Sequence, residues 1–419
     1  MDSKASDKAS LLTLPNFRRL YISGSTSEIG SFITETVIML FIFKITDNNK
    51  ESLGMLRSCF LIFLTIGSLI GGPLGEFVNR KKILVWCEIL RIPIILSLIW
   101  YREVAWVIFC NSLVALFTGI FRPSRQALVN EVVPSENIVD ANSLFGSTNA
   151  ILNLAGPFLG ATLFSFFGGI EEVLIFDLLT YFLGIFLLSK IIYRPYSSDQ
   201  TESSSQQNLF SEILLGINYV KKRAELFAII LNTFTVGLCI GLLIPLLVPY
   251  VIEVLGGTET QYGFLMSAFG IGGFLGSLFT KKIMIKLPNG KIPYVSILVE
   301  PLLFAGFIGF RNYYASILFF FIWGFFVFLR ITSQMNFISQ SVETKYLSRV
   351  HSLIELSFIA PNIIGGLFIS FFGEKYPTEQ MLIYSMIAFA IFVYARAPLK
   401  HMRYLWTVNP AQVKRHIQT

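Results

Sequence analysis

Long apolar segments recur along the chain and constrain its fold more than any other feature of the sequence. A span of roughly 20 apolar residues is what an α-helix needs to cross the hydrocarbon core of a bilayer. Hydrophobic residues fill 54% of the 419 positions and charged residues 14%, which leaves too much apolar surface for a water-soluble fold. We therefore predict an all-α membrane protein with about twelve transmembrane helices, over residues 20–43, 53–78, 83–100, 104–121, 143–167, 173–192, 226–248, 262–279, 294–310, 315–331, 347–372 and 381–395.

Two short motifs occur twice, in the same order. The run GGPLG at 71–75 returns as GGFLG at 272–276, an offset of 201, and SFFG at 165–168 returns at 370–373, an offset of 205. A parallel repeat of membrane helices is typical of transporters. The sequence thus predicts two six-helix bundles, one in each half of the chain.

A polar linker separates the two halves. Residues 193–207 are rich in Ser and Gln and cannot bury a core, so this stretch is expected to be flexible. After it, apolar residues at helical spacing predict an amphipathic helix on the cytoplasmic surface, namely Leu209, Ile213, Leu214, Ile217 and Val220. The expected domains are an N-terminal bundle, a cytoplasmic linker with this helix, a C-terminal bundle and a cytoplasmic tail, over residues 1–192, 193–225, 226–400 and 401–419.

Positive charge predicts the orientation of the helices. Most of the 33 Lys and Arg residues fall in the connections that are cytoplasmic if both termini are cytoplasmic, as the positive-inside rule requires. The net charge of +7 then reflects topology and contact with anionic membrane lipids. The basic residues are dispersed among membrane connections, so no nucleic-acid partner is expected.

The sequence carries no signal of catalysis. The four Cys residues lie within or beside apolar spans, the three His residues are scattered, and we find no nucleotide-binding loop and no catalytic triad. No enzyme activity, catalytic residue, metal site or cofactor is expected, and transport would depend on an ion gradient. The polar start of the chain and the full-length first span predict no removable signal peptide.

The connection after the second span resembles the first signature loop of the major facilitator superfamily. In the run GPLGEFVNRK at 72–81, Glu76 takes the acidic position of that loop and Arg80 a basic one, whereas Phe77 and Asn79 depart from the pattern. The resemblance implies that Glu76 and Arg80 form a cytoplasmic gate, a charge relay that steadies one closed face of the transporter. In the second half, Ser277 replaces the acid.

Further motifs resemble the branch of that superfamily that includes macrolide-efflux and enterobactin-export proteins. They are FRPSRQA at 121–127, VP at 133–134, ANSL at 141–144 and GPFLG at 156–160. Within the last, Gly156, Pro157 and Gly160 are similar to the fifth-helix signature of antiporting exporters, where glycines allow close packing and proline lets the helix bend. Ordinary close packing explains each glycine equally well. The resemblance implies a monomeric, multi-pass exporter in the inner (cytoplasmic) membrane of a bacterium.

Two carboxylates inside the first span are the best candidates for proton coupling. Glu28 and Glu35 lie seven residues apart, on nearly one face of a helix. An ionisable group in hydrocarbon costs about 2.5–3.5 kcal/mol, so it faces a cavity, a partner or a proton path. The alternative is that each carboxylate accepts hydrogen bonds that only hold two helices together. Relatives often carry an aspartate where this chain has Ser31, so Glu28 or Glu35 would replace that acid.

Other charged residues in apolar spans receive different interpretations. Glu355, in the eleventh span, is expected to be a second proton or cation site in a cavity. Glu88 and Arg91 are three residues apart on one helix face and are expected to form a structural charge pair.

Four more charged residues are interpreted as structural. Glu300 lies beside Pro301 and is expected to serve packing, and Asp177 is expected to lie near the membrane surface. Arg122 and Arg330 lie at the ends of the fourth and tenth spans and are expected to anchor the cytoplasmic ends of those helices.

Aromatic residues crowd the tenth span, and only one side of that helix can line a cavity. They are Phe319, Phe320, Phe321, Trp323, Phe325, Phe326 and Phe328. Such a wall suits an amphipathic or ring-containing solute, although most Phe residues in a membrane protein face lipid. The expected function is proton-coupled efflux, by antiport, of a siderophore, a macrolide-like drug or another amphipathic small molecule. Sodium coupling, an importer or lipid flippase of the same fold, and a non-transporting receptor or scaffold stay open.

Overall fold

The computed structural model describes residues 11–192, 209–287 and 290–407. The described residues form α-helices and short helical turns and no strand. Their fourteen α-helices are α1 Pro15–Ile45, α2 Lys50–Phe77, α3 Arg80–Trp100, α4 Val104–Val132, α5 Ile138–Phe167, α6 Glu171–Ser189, α7 Leu209–Lys221, α8 Ala224–Pro249, α9 Glu259–Lys286, α10 Lys291–Gly309, α11 Tyr313–Ser341, α12 Thr344–Phe372, α13 Thr378–Tyr394 and α14 Lys400–Thr407.

Ten of the described helices, α2 to α6 and α8 to α12, are long and apolar enough to cross a membrane. Their outer faces carry large apolar side chains that are mostly exposed, such as Phe166 and Ile285. Exposure on this scale requires lipid around the helices. These helices make the chain a multi-pass membrane protein. Among the described helices, α1, α7, α13 and α14 are not counted with the ten. Of these, α1 carries Glu28 and Glu35 in its middle, and α13 is apolar but has only 17 residues.

Capping side chains mark where several of the helices begin. Asn79 accepts hydrogen bonds from the backbone N–H groups of the first turn of α3, and Asn312 does the same for α11. Thr258 and Gln261 form a capping box at the start of α9. Each cap satisfies N–H groups that have no partner inside the helix, so a connection of a few residues is enough to end one helix and begin the next.

The chain divides into two compact units, residues 1–200 and 201–419, here called unit 1 and unit 2. In unit 1, α1 packs against α5 and α6, α2 against α4, and α3 against α4 and α6. In unit 2, α8 packs against α12 and α13, α9 against α11, and α10 against α11 and α13. Helix by helix, the second set of pairings repeats the first. The repeated motifs of the sequence therefore belong to two helical units built on one packing scheme.

Glycines lie at the same helix–helix contact in both units, that of α4 with α2 and that of α11 with α9. In unit 1, a methyl group on Gly119 of α4 would overlap the carbonyl oxygen of Leu64 in α2. In unit 2, a methyl group on Gly324 of α11 would overlap the carbonyl oxygen of Phe269 in α9. Both residues of the second contact lie 205 positions after those of the first. The absence of a side chain at these positions lets the helix backbones touch.

The GPFLG segment of α5 packs against α1. A Cβ atom on Gly156 would lie 2.8 Å from Cβ of Phe32, and one on Gly160 would lie 2.8 Å from the carbonyl oxygen of Ile33. Pro157 lies inside α5 and does not end it. These two glycines therefore have a packing role in the structure, whereas bending at Pro157 stays a prediction.

The predicted cytoplasmic segments are described in part. Residues 193–208 and 408–419 lie outside the described residues, as do the side chains of Leu209, Ile213 and Leu214. The helix α7 occupies the place of the predicted amphipathic helix, with Val220 buried and Leu215 exposed. It packs against α12 and α8.

Candidate functional site

Glu28 lies in α1 at a contact with two other helices of unit 1. Its Oε1 accepts hydrogen bonds from Nη1 of Arg125 in α4, at 2.5 Å, and from Nδ2 of Asn149 in α5, at 3.3 Å. The side chains of Glu28 and Arg125 are 13% and 10% exposed. Oε2 of Glu28 is buried and has no hydrogen-bond partner among the described residues. This carboxylate is therefore held by one guanidinium and keeps one oxygen free.

Glu35 lies two turns further along α1 and pairs with α2. Nη1 of Arg57 lies 3.0 Å from its Oε1, and the Glu35 side chain is 38% exposed. The two carboxylates of α1 thus bind arginines from different helices, α4 for Glu28 and α2 for Glu35. Each ion pair joins α1 to a neighbouring helix, so a proton on either carboxylate would weaken a helix contact.

A cavity of about 70 Å³ in unit 1 brings the predicted acids together. Glu28, Ser31 and Glu35 line it from α1, which places them on one face as the sequence indicates. Arg122 of α4 also lines it and makes no hydrogen bond or ion pair with any residue that the structure describes. The expectation that Arg122 anchors a helix end is wrong, because α4 continues for ten residues beyond it.

A buried charge cluster lies beside this cavity. Arg91 and Glu88 are almost completely buried in α3, with Nη1 of Arg91 3.5 Å from Oε2 of Glu88. Arg91 also donates a hydrogen bond from Nη2 to Thr118 of α4, at 3.0 Å. The geometry is that of a charge pair between successive turns of one helix, and the second contact of Arg91 ties this pair to α4.

Asp177 of α6 completes the cluster. Its carboxylate is fully buried, accepts a hydrogen bond from the hydroxyl of Tyr181 at 3.0 Å and lines the cavity of unit 1. Gly30 of α1 lies directly against it, with no room for a side chain. Asp177 is therefore enclosed by protein, and its expected position near the membrane surface stays a prediction. The signal that the sequence offered was an aspartate four residues before a tyrosine inside an apolar span.

The gate residues predicted from the signature loop are described only in part. Arg80, at the start of α3, forms an ion pair with Glu131 near the end of α4. The side chain of Glu76 lies outside the described residues, so its pairing with Arg80 stays a prediction. Nζ of Lys81 donates hydrogen bonds to the carbonyl oxygens of Ser189 and Ile191, each at 2.7 Å. These basic residues therefore tie α3 to the ends of α4 and α6.

Unit 2 holds one buried ion pair between two of its described helices. Nε of Arg330 in α11 lies 2.6 Å from Oε1 of Glu300 in α10, and the two side chains are 3% and 1% exposed. The expectation that Arg330 anchors a cytoplasmic helix end is wrong, because α11 continues to Ser341 and the guanidinium points to a buried partner. Glu300 serves packing, as expected, through a charge that is neutralised.

A larger cavity, of about 450 Å³, lies in unit 2. Its wall is mainly aliphatic and aromatic, with Phe328 as the contribution of the aromatic run of α11. Phe320 and Trp323 from the same run line a separate cavity of about 80 Å³ in this unit. Glu355 lines the larger cavity, one turn of α12 from His351, and its role as a proton or cation site stays a prediction. The full set of lining residues is Thr233, Val236, Ile240, Phe269, Val327, Phe328, Arg330, Ile331, Gln334, Met335, His351, Ile354, Glu355 and Phe358.

No group of three metal-binding side chains is found within residues 11–192, 209–287 and 290–407. Two helical units with one packing scheme, each with its own internal cavity, define a membrane protein of the repeated-bundle class. The model of the Major Facilitator Superfamily matches residues 20–359. The chain therefore belongs to the Major Facilitator Superfamily and is a transporter of that type.

Similar proteins agree with this family. The chain is 21% identical over 375 residues to a protein of Bacillus subtilis (strain 168) named Uncharacterized MFS-type transporter YfmI, covering 85% of this chain and 90% of that one. The solved structure of the nucleoside transporter NupG superposes with a TM-score of 0.72 at 13% identity, over 94% of this chain and 99% of NupG. A bacterial homologue of the iron transporter ferroportin gives 0.65 at 13% identity, over 92% and 99%.

Proposed function

We propose that this transporter is a secondary active antiporter that exports an amphipathic small molecule in exchange for protons. The observation that carries the proposal is the pair of carboxylates on α1. Glu28 and Glu35 line one cavity, and each is held by an arginine from another helix. Burial of a carboxylate inside a membrane span costs free energy, so such a residue usually has a function. Binding and release of a proton is the function that we assign to Glu28 and Glu35.

Glu28 and Glu35 would act as switches between two arrangements of unit 1. An ionised Glu28 attracts Arg125 and holds α1 against α4, whereas a protonated Glu28 releases that guanidinium. The same holds for Glu35, Arg57 and α2. A proton thus changes the relative stability of two helix arrangements, which is the requirement for coupling ion movement to alternating access. Arg122 lines the same cavity without a hydrogen bond or close ion pair to a described residue, and it would attract whichever carboxylate keeps its charge.

We also propose a topology of twelve membrane spans, which alternating access between two six-helix bundles needs. Helices α1 and α13 would cross the membrane with the other ten, which gives twelve spans, two bundles of six and cytoplasmic termini. Arg80 with Glu131 would hold the cytoplasmic gate, and Glu76, from the same signature loop as Arg80, would contribute to it. The chain would lie in the inner membrane of a bacterium as a monomer.

The direction and the cargo are supported by motif resemblance. The runs at 121–127 and 156–160 resemble exporters of macrolides and enterobactin, which implies efflux of a siderophore, a macrolide-like drug or a similar metabolite. The solved relatives are named as transporters of different cargoes, nucleosides for one and iron for another, so fold alone does not choose among substrates. The wide, mainly apolar cavity of unit 2 suits a molecule with an extended apolar body.

Reconstitution into liposomes tests the proposal. A pH-sensitive dye inside the vesicles reports proton movement when enterobactin, erythromycin or ethidium is added outside, with no initial pH difference. Antiport predicts that cargo entry drives protons out and raises the lumenal pH, whereas a symporting importer would lower it. The same assay with a sodium-sensitive dye identifies sodium coupling.

The outcomes separate the remaining alternatives. A rise in lumenal pH that depends on both cargo and protein supports proton antiport. No ion movement with any soluble cargo, together with transfer of labelled lipids between leaflets, would show a flippase instead. Empty liposomes and vesicles with heat-denatured protein provide the controls for leakage of cargo.

A further inference from the structure

The large cavity of unit 2 has one carboxylate without an ionic partner. Glu355 lines the cavity and makes no hydrogen bond or ion pair with another described residue. Arg330 also lines it, but its guanidinium is neutralised by Glu300 at 2.6 Å. Because Glu300, which lies outside the cavity wall, cancels the charge of Arg330, the carboxylate of Glu355 is the unbalanced acidic charge of the described wall. The cavity therefore attracts positive charge.

The wall around Glu355 is apolar and aromatic. Phe269, Phe328 and Phe358 line the same cavity from α9, α11 and α12, with Ile240 of α8 among the aliphatic residues beside them. Aromatic faces attract organic cations through their quadrupole, and this attraction grows when water is excluded. The wall would thus contact both the charge and the apolar body of a bound molecule.

The size of the cavity and its few charged side chains favour an organic ligand over a metal ion. The cavity of about 450 Å³ falls within the range of sites that hold drug-sized molecules. A divalent cation needs several oxygen or nitrogen ligands, and no group of three acidic, His or Cys side chains gathers in the described part of the chain. Glu355 is exposed, and a single exposed carboxylate on a mainly apolar wall fits one positive charge on a large hydrophobic molecule.

We propose that the cavity of unit 2 binds a monovalent organic cation with an aromatic or aliphatic body, with Glu355 as its counter-ion. This inference names the substrate class of the transport function proposed above. Binding at this site does not depend on proton coupling, so the two proposals can fail separately. Gln334 and His351 would orient hydrogen-bonding groups of the ligand, since both line the same wall.

Two probes of matched shape and opposite charge test the proposal. Tetraphenylphosphonium and tetraphenylborate are both four phenyl rings on one central atom, and they differ in the sign of their charge. Equilibrium dialysis with detergent-solubilised full-length protein at about pH 8, where free imidazole is uncharged, measures the two dissociation constants. We expect the cation to bind at least about tenfold more tightly than the anion, after correction for detergent micelles.

Charge removal at Glu355 provides the decisive variant. Glu355→Gln should weaken tetraphenylphosphonium binding about tenfold or more and leave tetraphenylborate binding equal or stronger. Glu355→Asp should retain the preference for the cation. The control Glu259→Gln removes the same charge at the start of α9, away from the cavity wall, and should change neither constant.

Other results of these binding experiments would contradict the proposal. Equal affinities for the two probes in the wild type, or an unchanged preference in Glu355→Gln, would overturn the proposal. If Glu355→Gln lost both probes, a folding defect would be the cause, and Glu355→Asp would then decide: loss of its preference, with anion binding intact, contradicts the role of Glu355 as counter-ion. Cation binding without any cargo-driven proton movement in liposomes would instead contradict the antiport function and leave this inference standing.

Discussion

Unit 1 and unit 2 share one packing scheme and differ in where they keep charge. Arg125 and Arg330 occupy equivalent positions, 205 residues apart, yet Arg125 binds Glu28 of α1 and Arg330 binds Glu300 of α10. At the positions that correspond to Glu28 and Glu35, again 205 residues on, unit 2 has Thr233 and Ile240. The difference teaches that helix contacts preserve the scaffold while the side chains of each cavity diverge.

A second repeated contact shows what the scaffold retains. In unit 1, Arg102 of the connection between α3 and α4 forms an ion pair with Glu171 at the start of α6. In unit 2, Arg311 of the connection between α10 and α11 binds Glu379 at the start of α13, at 2.5 Å. The same connection is tied to the same helix start in both units. The two units therefore have the same ion pair at this connection, whereas the charged residues of their cavities differ.

The buried arginines should give the largest difference between the units. Arg330→Met leaves Glu300 buried without a counter-charge, and we expect the free energy of unfolding to fall by about 3–5 kcal/mol. Arg125→Met leaves Glu28 beside a cavity and partly exposed, so a loss of about 1–3 kcal/mol is expected. Unfolding by SDS titration in mixed micelles measures both.

A double variant is the control for this comparison. Glu300→Leu combined with Arg330→Met removes both charges and should recover most of the stability, because a packed apolar pair needs no ionic partner. Equal losses for Arg125→Met and Arg330→Met would contradict the distinction between a cavity charge and a buried structural charge.

Glycine variants should affect both units alike. Gly119→Ala and Gly324→Ala each place a methyl group onto a facing carbonyl oxygen, and we expect a loss of about 1–3 kcal/mol from overpacking. Gly72→Ala is the matched control, since a Cβ atom there meets nothing within 4 Å. If alanine were tolerated at one of these two helix contacts and not at the other, the two units would not share the packing that we describe. Thermal unfolding in detergent is the measurement.

The exposed ion pairs should give the smallest effect. Glu171→Gln and Glu379→Gln each break a pair whose arginine is 44% and 66% exposed, respectively. We expect each change to cost less than about 1 kcal/mol and the cost to shrink as salt is added. A loss above about 2 kcal/mol, twice the upper bound for an exposed pair, in either variant would show that this contact has a larger role than a surface tie.

The helices and the charge pair within α3 could be predicted from the sequence, because both depend on local spacing. Apolar length gives the spans, and three residues between Glu88 and Arg91 place them on one face. Helix ends could not be predicted in the same way. The apolar span of a sequence ends where its polar residues begin, but α4 and α11 continue as helices through those polar residues. The prediction that Arg122 and Arg330 lie at helix ends was wrong for this reason.

The long-range partners were beyond sequence reasoning. Glu28 and Arg125 are 97 residues apart, and Glu300 and Arg330 are 30 apart, so only tertiary packing brings them together. The burial of Asp177 depends on Gly30 of another helix, whose missing side chain makes room for the carboxylate. A glycine and an aspartate in separate spans give no signal that they will meet.

The most direct test of the account is proton movement in liposomes that contain Glu28→Gln/Glu35→Gln. The rate of cargo-driven change in lumenal pH is measured for this double variant, for the wild type and for Glu259→Gln, with equal amounts of folded protein. We predict that the double variant moves no protons, that it still binds tetraphenylphosphonium as the wild type does, and that Glu259→Gln matches the wild type in both. Proton movement at the wild-type rate in the double variant would contradict the claim that the carboxylates of unit 1 couple transport to protons.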